Sequence, residues 1–297
     1  MTNALTQIDI PSLSKLKSGK VREVFDLGDS LLFVATDRIS AFDCILPTGV
    51  PMKGKVLNQL SAWWFSRTSH IIPNHMITTS WEAFPKSLNP FKEQLRGRSM
   101  IVQKAKPLPI ECVVRGYLIG SGWKEYKESG LVSGMRLRPG YRMADRLDEP
   151  LFTPSRKAET GHDENISFEQ VEQMIGKDLA GRLKTNSLAI YKHAFEYALK
   201  QGIIIADTKF EFGLMNNQLI LIDEALTPDS SRFWPVSSYA PGQSPPSFDK
   251  QFVRDYLETL AWDKTPPAPA LPESILTHTR DKYVEAFKLL TGFEPEN

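Results

Sequence analysis

Ile203-Ile204-Ile205-Ala206-Asp207-Thr208-Lys209-Phe210-Glu211-Phe212-Gly213 reads as a β-strand that begins in a core and ends in a site. Alternate residues of a strand share a face, so Ile203 and Ile205 lie on the same side as Asp207, Lys209 and Glu211. That face passes from apolar to acid, base, acid, while the other stays largely apolar through Phe210 and Phe212. Taken alone, a strand end emerging into solvent would look the same. The next run, Leu219-Ile220-Leu221-Ile222, is again of buried type and ends in Asp223-Glu224. Together they predict a hairpin around Asn216-Asn217. A two-residue loop would set Glu211 opposite Ile222. A three-residue loop centred on Asn217 would set it opposite Asp223, and this is the expected arrangement. Two carboxylates at the end of a buried hairpin repel unless a cation lies between them. Mg2+ takes one or two carboxylates together with nucleotide phosphates, so Glu211 and Asp223 are the candidate metal ligands.

Upstream of this hairpin, helical spacing predicts a helix over Leu179–Lys200 that stops at Gly202. Ser167 with Gln170 has the form of a capping box that opens another helix. Gly120 to Asn165 is rich in Gly, Pro and charge and is expected to be a functional loop region. Ser99–Lys104 and Ile110–Val114 read as strands, with Pro107 and Pro109 making a non-helical connector between them. Leu57, Leu60 and Trp64 recur at helical spacing. Val21–Leu27 and Leu31–Thr36 read as an N-terminal hairpin turning at Gly28-Asp29-Ser30. Downstream, Phe248–Leu260 and Glu273–Leu290 are expected helices, linked by the Pro-rich strap Thr265–Pro272. The fold class is α+β: a strand-rich lobe over residues 1–105 and a mixed lobe over 106–297, with a cleft between them.

Three further segments carry chemistry-bearing residues. In Ser18-Gly19-Lys20-Val21-Arg22 a glycine precedes a strand and two nearby cations, which suits polyphosphate; alone, an ordinary basic turn is the better reading, and paired with the metal hairpin the segment reads as a lid over ATP phosphates. Thr36-Asp37-Arg38-Ile39-Ser40-Ala41-Phe42-Asp43 mixes acids, Arg and Ser, and reads otherwise as a turn with an internal Asp–Arg pair. Glu111 and Arg115 flank an apolar strand ahead of Gly120-Ser121-Gly122, and Arg232 follows Asp229-Ser230-Ser231. An arginine beside Gly/Ser loops can clamp a phosphate or carboxylate bidentately. His162 lies in a polar loop, and none of the five histidines has metal-ligand spacing.

The 297 residues carry 36 Lys plus Arg against 35 Asp plus Glu, a net charge of +1, so no global field favours nucleic acid or a membrane. Apolar runs such as Ile203–Ala206 are too short to span a bilayer, and Met1–Lys20 lacks an apolar stretch of signal-peptide length. The expectation is a cytoplasmic protein. Cys44 and Cys112 sit among apolar neighbours and are expected as buried thiols. Serine nucleophile elbows, GxGxxG and a kinase-type HRD motif are absent. A phosphotransferase to a hydroxyl and a nucleotide-binding regulator without chemistry are the competing readings of an ATP–metal site.

In order along the chain, Gly19-Lys20-Val21-Arg22-Glu23, Ala35-Thr36-Asp37-Arg38-Ile39-Ser40-Ala41-Phe42-Asp43, Glu111-Cys112-Val113-Val114-Arg115-Gly116-Tyr117, Asp207–Gly213, and Asp223-Glu224 followed by Thr227-Pro228-Asp229-Ser230-Ser231-Arg232 resemble the SAICAR synthetases over nearly the whole length. The length and the DRISAFD segment resemble the longer, yeast-like branch. The resemblance implies a two-lobed SAICAR synthase-like fold, with an antiparallel-sheet N-terminal lobe over the nucleotide and a mixed α/β catalytic lobe. It implies small-molecule partners: ATP with Mg2+, L-aspartate and the carboxylated ribonucleotide CAIR, joined into SAICAR with release of ADP and phosphate, through phosphorylation of the CAIR carboxylate. It leaves the oligomeric state open. Carried over residue by residue, Gly19, Lys20, Val21 and Arg22 match the phosphate loop, and Glu211 and Asp223 the metal ligands. Asp43, Arg115, Ser121 and Arg232 match positions that hold CAIR, and Asp207 and Lys209 the acid and lysine beside the reacting groups. The adenine is expected against Val102–Pro107, including Val102 and Lys104, with Glu111 near the nucleoside. Lys157, His162, Asp163 and Asn165 are the candidates for the aspartate pocket.

Overall fold

The computed structural model describes residues 4–157 and 164–296. Its first sheet draws on β1 (Lys15–Ser18), β2 (Arg22–Asp26) and β3 (Ser30–Ala35); the short pair β4 (Ser40–Ala41) and β5 (Cys44–Ile45) follows. Then come α1 (Lys53–Thr68), β6 (Met76–Thr78), α2 (Lys92–Leu95) and β7 (Ser99–Gln103). The sheet order is β1-β2-β3-β7-β6, antiparallel throughout. Val56, Leu57, Leu60, Trp64 and Phe65 form the buried stripe of α1 predicted from spacing, and pack with Met100 and Val102 of β7. Each such side chain taken from water stabilises the fold by about 2 kcal/mol.

The second half contains β8 (Lys106–Tyr117), α3 (Gly120–Ser129), β9 (Leu131–Val132), β10 (Met135–Arg136), β11 (Arg146–Phe152), β12 (Ser155–Arg156) and β13 (Glu164–Asn165). It continues through α4 (Phe168–Ile175), α5 (Lys177–Lys200), β14 (Ile203–Met215), β15 (Gln218–Ile222), β16 (Ser231–Pro235), α6 (Gln251–Glu258) and α7 (Glu273–Thr291). β14 is the spine of a seven-stranded antiparallel sheet: β8 lies along one side, while β16 and β15 share the other. The capping box at Ser167 and Gln170 is formed in both directions and opens α4, and Gly292, in the left-handed region, closes α7.

Two expectations are corrected here. Pro107 and Pro109 lie inside β8 and not in a connector. Three residues of β14 (Glu211 to Gly213) oppose five of β8 (Glu111 back to Pro107), so β8 bulges where the prolines lack a donor. The stretch Gly120–Asn165 is largely ordered structure rather than loop. Leu118, Val132, Tyr141 and Leu147 bury together with Trp123, Tyr126, Leu137 and Leu151, a core of its own that the Gly and Pro content concealed. Residues 158–163 of that stretch, with His162 and Asp163, lie outside the described residues.

The two sheets are joined. Leu221 N–H donates to Pro73 O at 2.9 Å, His75 N–H to Leu221 O at 3.0 Å and Gln103 N–H to His75 O at 2.7 Å. One apolar cluster runs from α1 and β7 into β8, β14, α5 and α7. A second joins Ile39, Leu46 and Val50 to Val253 and Leu257 of α6 and to Leu271. Cys44 and Cys112 are buried free thiols.

His75 sits at this junction, its ring edge-on to Phe33 and Phe65, with Nε2 buried and lacking a hydrogen-bond partner. Burial, and then the Arg22 charge, push its imidazole down to about 3 from 6.5. The folded chain therefore keeps His75 neutral where the unfolded chain takes a proton. Stability on its account is full above pH ~6.5 and falls as pH drops from there toward ~3. Denaturant titrations are expected to show about 2 kcal/mol lost between pH ~6.5 and ~5 from this group. His75→Gln should flatten that slope; an unchanged slope would refute the assignment.

Candidate active site

The chain turns from β14 to β15 through two residues. Met215 pairs with Gln218, and Asn216 and Asn217 have φ of 49° and 62°. This is the primed turn whose twist matches a hairpin, and Asn tolerates the left-handed region it needs. The expected three-residue loop is not formed, and Glu211 stands opposite Ile222. Parity would then send Asp223 to the far face, but Asp223 itself has φ 68°. That break in the strand lets Asp223 line the same cleft as Glu211 and Ile222.

Strand pairing sets the charged side chains in rows across the sheet. Asp207 is paired with Arg115 of β8 on one side and Arg232 of β16 on the other. Arg115 donates to Asp207 Oδ2 at 3.1 Å, to Ser121 Oγ at 2.9 Å and to Thr153 Oγ1 at 3.0 Å, and Arg232 also bonds Asp207. Two glycines make room for the guanidiniums: a Cβ at Gly120 would lie 2.5 Å from an Arg232 nitrogen, and one at Gly122 3.1 Å from Arg115 Cδ. Two guanidiniums against one carboxylate, with the Ser121 hydroxyl, form a seat for an anion. Four residues further along β14, Glu211 and Glu111 stand directly opposite on adjacent strands. Lys209 bridges them, at 2.7 Å to Glu111 and 2.9 Å to Glu211, and Lys157 also bonds Glu211. Burial works against the Lys209 charge, but Glu211, Glu111 and Asp223 outweigh it and raise its pKa above the ordinary lysine value.

Next to this row opens a cleft of about 580 Å3 between the two sheets. Its lining combines the apolar side chains of Val24, Leu31, Phe33, Ala105, Pro107 and Ile222 with the cations Lys17, Lys20, Arg22, Lys157 and Lys209. Arg22 lies over the Phe33 ring at 5.3 Å, bonds Asp223, and reaches Glu224 at 3.4 Å. Burial disfavours its charge, but Asp223, Glu224 and Glu211 outweigh that and raise its pKa. Burial likewise acts against the Asp223 charge, yet Arg22, Lys209 and Lys157 hold its carboxyl below the usual range. Glu224 behaves oppositely: burial raises its carboxyl, and its Oε2 has no hydrogen-bond partner. Among the described residues no three His, Cys, Asp or Glu side chains form a metal cage on their own. A cleft lined by apolar side chains together with lysines, arginine and the Glu211 and Asp223 carboxylates suits a flat heteroaromatic ring carrying a polyphosphate and a hard cation.

The sequence-derived candidates therefore divide. Gly19, Lys20, Val21, Arg22, Lys157, Lys209, Glu211 and Asp223 line the cleft. Arg115, Ser121, Asp207 and Arg232 form the neighbouring anion seat, and Asp43 bonds Lys20 of the cleft. Val102 is buried in the core and Lys104 is tied to Asp26 at 2.7 Å; Gln103, next to Val102 in β7, and Ala105, between β7 and β8, line the cleft instead. Asn165 is exposed in β13, opposite Ser155. The internal Asp37–Arg38 pair is not formed. Asp37 is buried against Arg98 (3.0 and 3.1 Å) and the Leu5 and Gly54 amides, because it sits at the end of β3 beneath α1. Arg38 instead donates to Gly19 O at 2.8 Å, Lys20 O at 3.1 Å, Thr6 O at 2.7 Å and Glu23 at 2.6 Å. It is the residue that shapes the basic turn, and its only sequence signal is its place in the DRISAFD segment. Asp229 and Lys250 also line the cleft. Nothing in their local sequence announces the buried cluster they belong to.

A family model described as SAICAR synthetase matches residues 15–269. The chain belongs to the SAICAR synthetase family. Its relatives include the phosphoribosylaminoimidazole-succinocarboxamide synthase of Geobacter metallireducens, 56% identical over 98% of this chain and 99% of that one. That of Geotalea uraniireducens is 57% identical over the same shares. The solved SAICAR synthase of Saccharomyces cerevisiae complexed with SAICAR superposes with a TM-score of 0.91 at 41% identity, covering 99% of this chain and 100% of that one. A type-2 SAICAR synthetase in complex with ADP gives a TM-score of 0.68 at 26% identity, covering 95% and 99%. The fold is thus that of the SAICAR synthetases, antiparallel in both sheets, and nearer the yeast structure than the ADP-bound one. As a member of this family the chain is an ATP-dependent ligase of purine biosynthesis that joins CAIR and L-aspartate into SAICAR.

Removing the Arg38 fork should free the basic turn without unfolding the chain. In Arg38→Ala, hydrogen exchange of the Gly19 amide, which donates to Arg22 O at 2.7 Å, is expected to rise at least tenfold. Protection equal to wild type would show that the turn holds itself.

Proposed function

We propose that the cleft between the sheets binds ATP with Mg2+, that the Arg115–Asp207–Arg232 seat holds the phosphate-bearing nucleotide CAIR, and that amide formation proceeds through an acyl phosphate. The observation that carries this is the adjacency of two rows on one sheet face. Successive same-face residues of a strand are about 7 Å apart, so an anion held at the Asp207 row lies close to a phosphoryl group held at the Lys209–Glu211 row.

In this reading the apolar part of the lining takes the adenine beside Gln103, Ala105 and Pro107, with Glu111 toward the nucleoside. Gly19, Lys20, Val21 and Arg22 hold the phosphates. Glu211 and Asp223 fit Mg2+: they are oxygen donors from neighbouring strands, both in the cleft, and their present partners are all cations. When bound, the ion would neutralise phosphate charge. An oxygen of the CAIR carboxylate attacks the γ-phosphorus, and the bond to the bridging oxygen breaks to release ADP. The aspartate amine then attacks the acyl carbon, the acyl C–O bond breaks, and inorganic phosphate leaves with that oxygen and takes up the proton that the nitrogen loses. Lys209, held protonated by three carboxylates, contributes fixed charge beside the transferring group and does not accept that proton. Asp207 acts through the two arginines it holds apart. Asp43, bonded to Lys20, links the phosphate loop to the CAIR side. Lys157, Asn165 and the segment with His162 and Asp163 are proposed to meet L-aspartate. Residues 1–105 act as the nucleotide-covering lobe and 106–297 as the catalytic lobe. No helix among the described residues is long and apolar enough to cross a membrane, and the proposed location is the cytoplasm.

Sustained ADP production over many turnovers is expected to require CAIR and L-aspartate together, while CAIR alone supports at most one ADP per site. Rapid ADP formation with an alcohol acceptor and no amine would favour a phosphotransferase instead. Glu211→Gln keeps the side-chain shape, and Lys209 retains Glu111. Turnover should drop at least ~100-fold with the melting temperature within a few degrees of wild type. A variant that binds ATP–Mg2+ and turns over normally would remove Glu211 from the site.

A further inference from the structure

The cleft has a third corner that neither row uses. Asp229 and Lys250 line it, yet both belong to a buried cluster drawn from four distant segments. Asp229 Oδ2 accepts from Lys53 of α1 at 2.7 Å and lies 3.2 Å from Lys250 Nζ, and Asp229 Oδ1 accepts from Tyr283 of α7 at 2.7 Å. The Lys53 and Asp229 side chains are 0% and 3% exposed, against 11% for Lys250. Asp229 is fixed in place. Its backbone amide donates to Thr227 Oγ1 at 3.2 Å, and the following residue, Ser230, accepts from the Lys209 amide at 2.9 Å. The corner therefore lies beside the Lys209 row, on the side of β14 away from Glu111.

One carboxylate here serves two ammonium groups, and it serves them unequally. Lys53 has the shorter bond and the deeper site, so Lys250 is the cation held more loosely and nearer the cleft. An ammonium has three donors, and a largely buried one is costly unless oxygen atoms meet them. We propose that Lys250 is an oxyanion-binding residue of the reaction, taking a phosphoryl or carboxylate oxygen of one substrate. Asp229, fixed by Lys53 and by Tyr283, acts as the positioning residue that presents it. Tyr283 lies beyond residues 15–269, the part the family model matches, so this assigns the C-terminal helix a place in the site. The proposal rests on the ligase reading for its substrates but not for its binding chemistry.

Steady-state kinetics of Lys250→Met should show the KM of a single anionic substrate raised at least tenfold. The other two should stay within about twofold, with the melting temperature unchanged and recovery in Lys250→Arg. A rise confined to ATP marks a phosphoryl subsite, and one confined to L-aspartate or CAIR marks a carboxylate subsite. Unchanged KM values, or losses spread over all three substrates, would overturn the proposal. Should Lys250→Met not fold, Tyr283→Phe carries the test. It keeps the ring, removes the bond to Asp229, and should raise one KM about threefold; no change refutes the positioning role. Calorimetry with inorganic tripolyphosphate and with succinate separates this idea from the ligase reading. Wild type should bind one of them at least fivefold more tightly than Lys250→Met even if it failed to turn over CAIR and aspartate. Equal binding of both probes would count against Lys250 alone.

Discussion

Glu111 and Glu211 face one another across β8 and β14, and without a cation between them the two central strands of the larger sheet would repel. Lys209 supplies that cation from the same face of β14, two residues before Glu211. Two carboxylates bridged by a lysine form an environment that can exchange one cation for another. That makes the same residues a structural bridge and a seat for a metal–nucleotide complex. The Arg115–Asp207–Arg232 row repeats the logic with the signs reversed: one carboxylate holds two guanidiniums apart, and their remaining donors suit an anion.

Both rows need a rigid support, and the packing provides it. β14 is covered on its other face by α5, and Tyr191 of that helix donates to Ile205 O at 2.8 Å. The smaller sheet is tied to β15 through residues 73–75, so the basic turn around Lys20 and Arg22 is held above Asp223 by backbone bonds as well as by charge. α1, α6 and α7 then close apolar clusters that include residues from both ends of the chain. The cleft is therefore a seam inside a continuous core, and its polar walls are fixed from behind by buried side chains.

Much of this was legible because it is local. Period-two alternation in Ile203–Phe212, helical spacing in α1 and α5, the Ser167–Gln170 cap and the Gly202 stop are written in neighbouring residues, and each formed as read. The errors came where a local signal had two solutions. Asn216-Asn217 fits a loop of either parity, and only the twist of the paired strands selects the two-residue turn. Asp37 and Arg38 are adjacent and opposite in charge, yet consecutive residues at a strand end point different ways, so each found a distant partner. Gly and Pro in 120–165 suggested loop, while Trp123, Tyr126, Tyr141 and Leu147 were spaced too irregularly to reveal their common core.

By itself the sequence determined that one strand would carry acid, base, acid into a site, that its hairpin partner would end in carboxylates, and which family has those motifs in that order. Face assignment within a strand follows from covalent geometry, so it needs no neighbours. Tertiary structure alone decided that Asp223 reaches the cleft through a left-handed backbone at φ 68° and that Arg38 braces the basic turn. It alone brought Lys53, Asp229, Lys250 and Tyr283 together beneath the cleft. Those contacts join residues far apart in the chain, and their cost in buried charge is offset only when all the partners arrive. No local pattern can encode that condition.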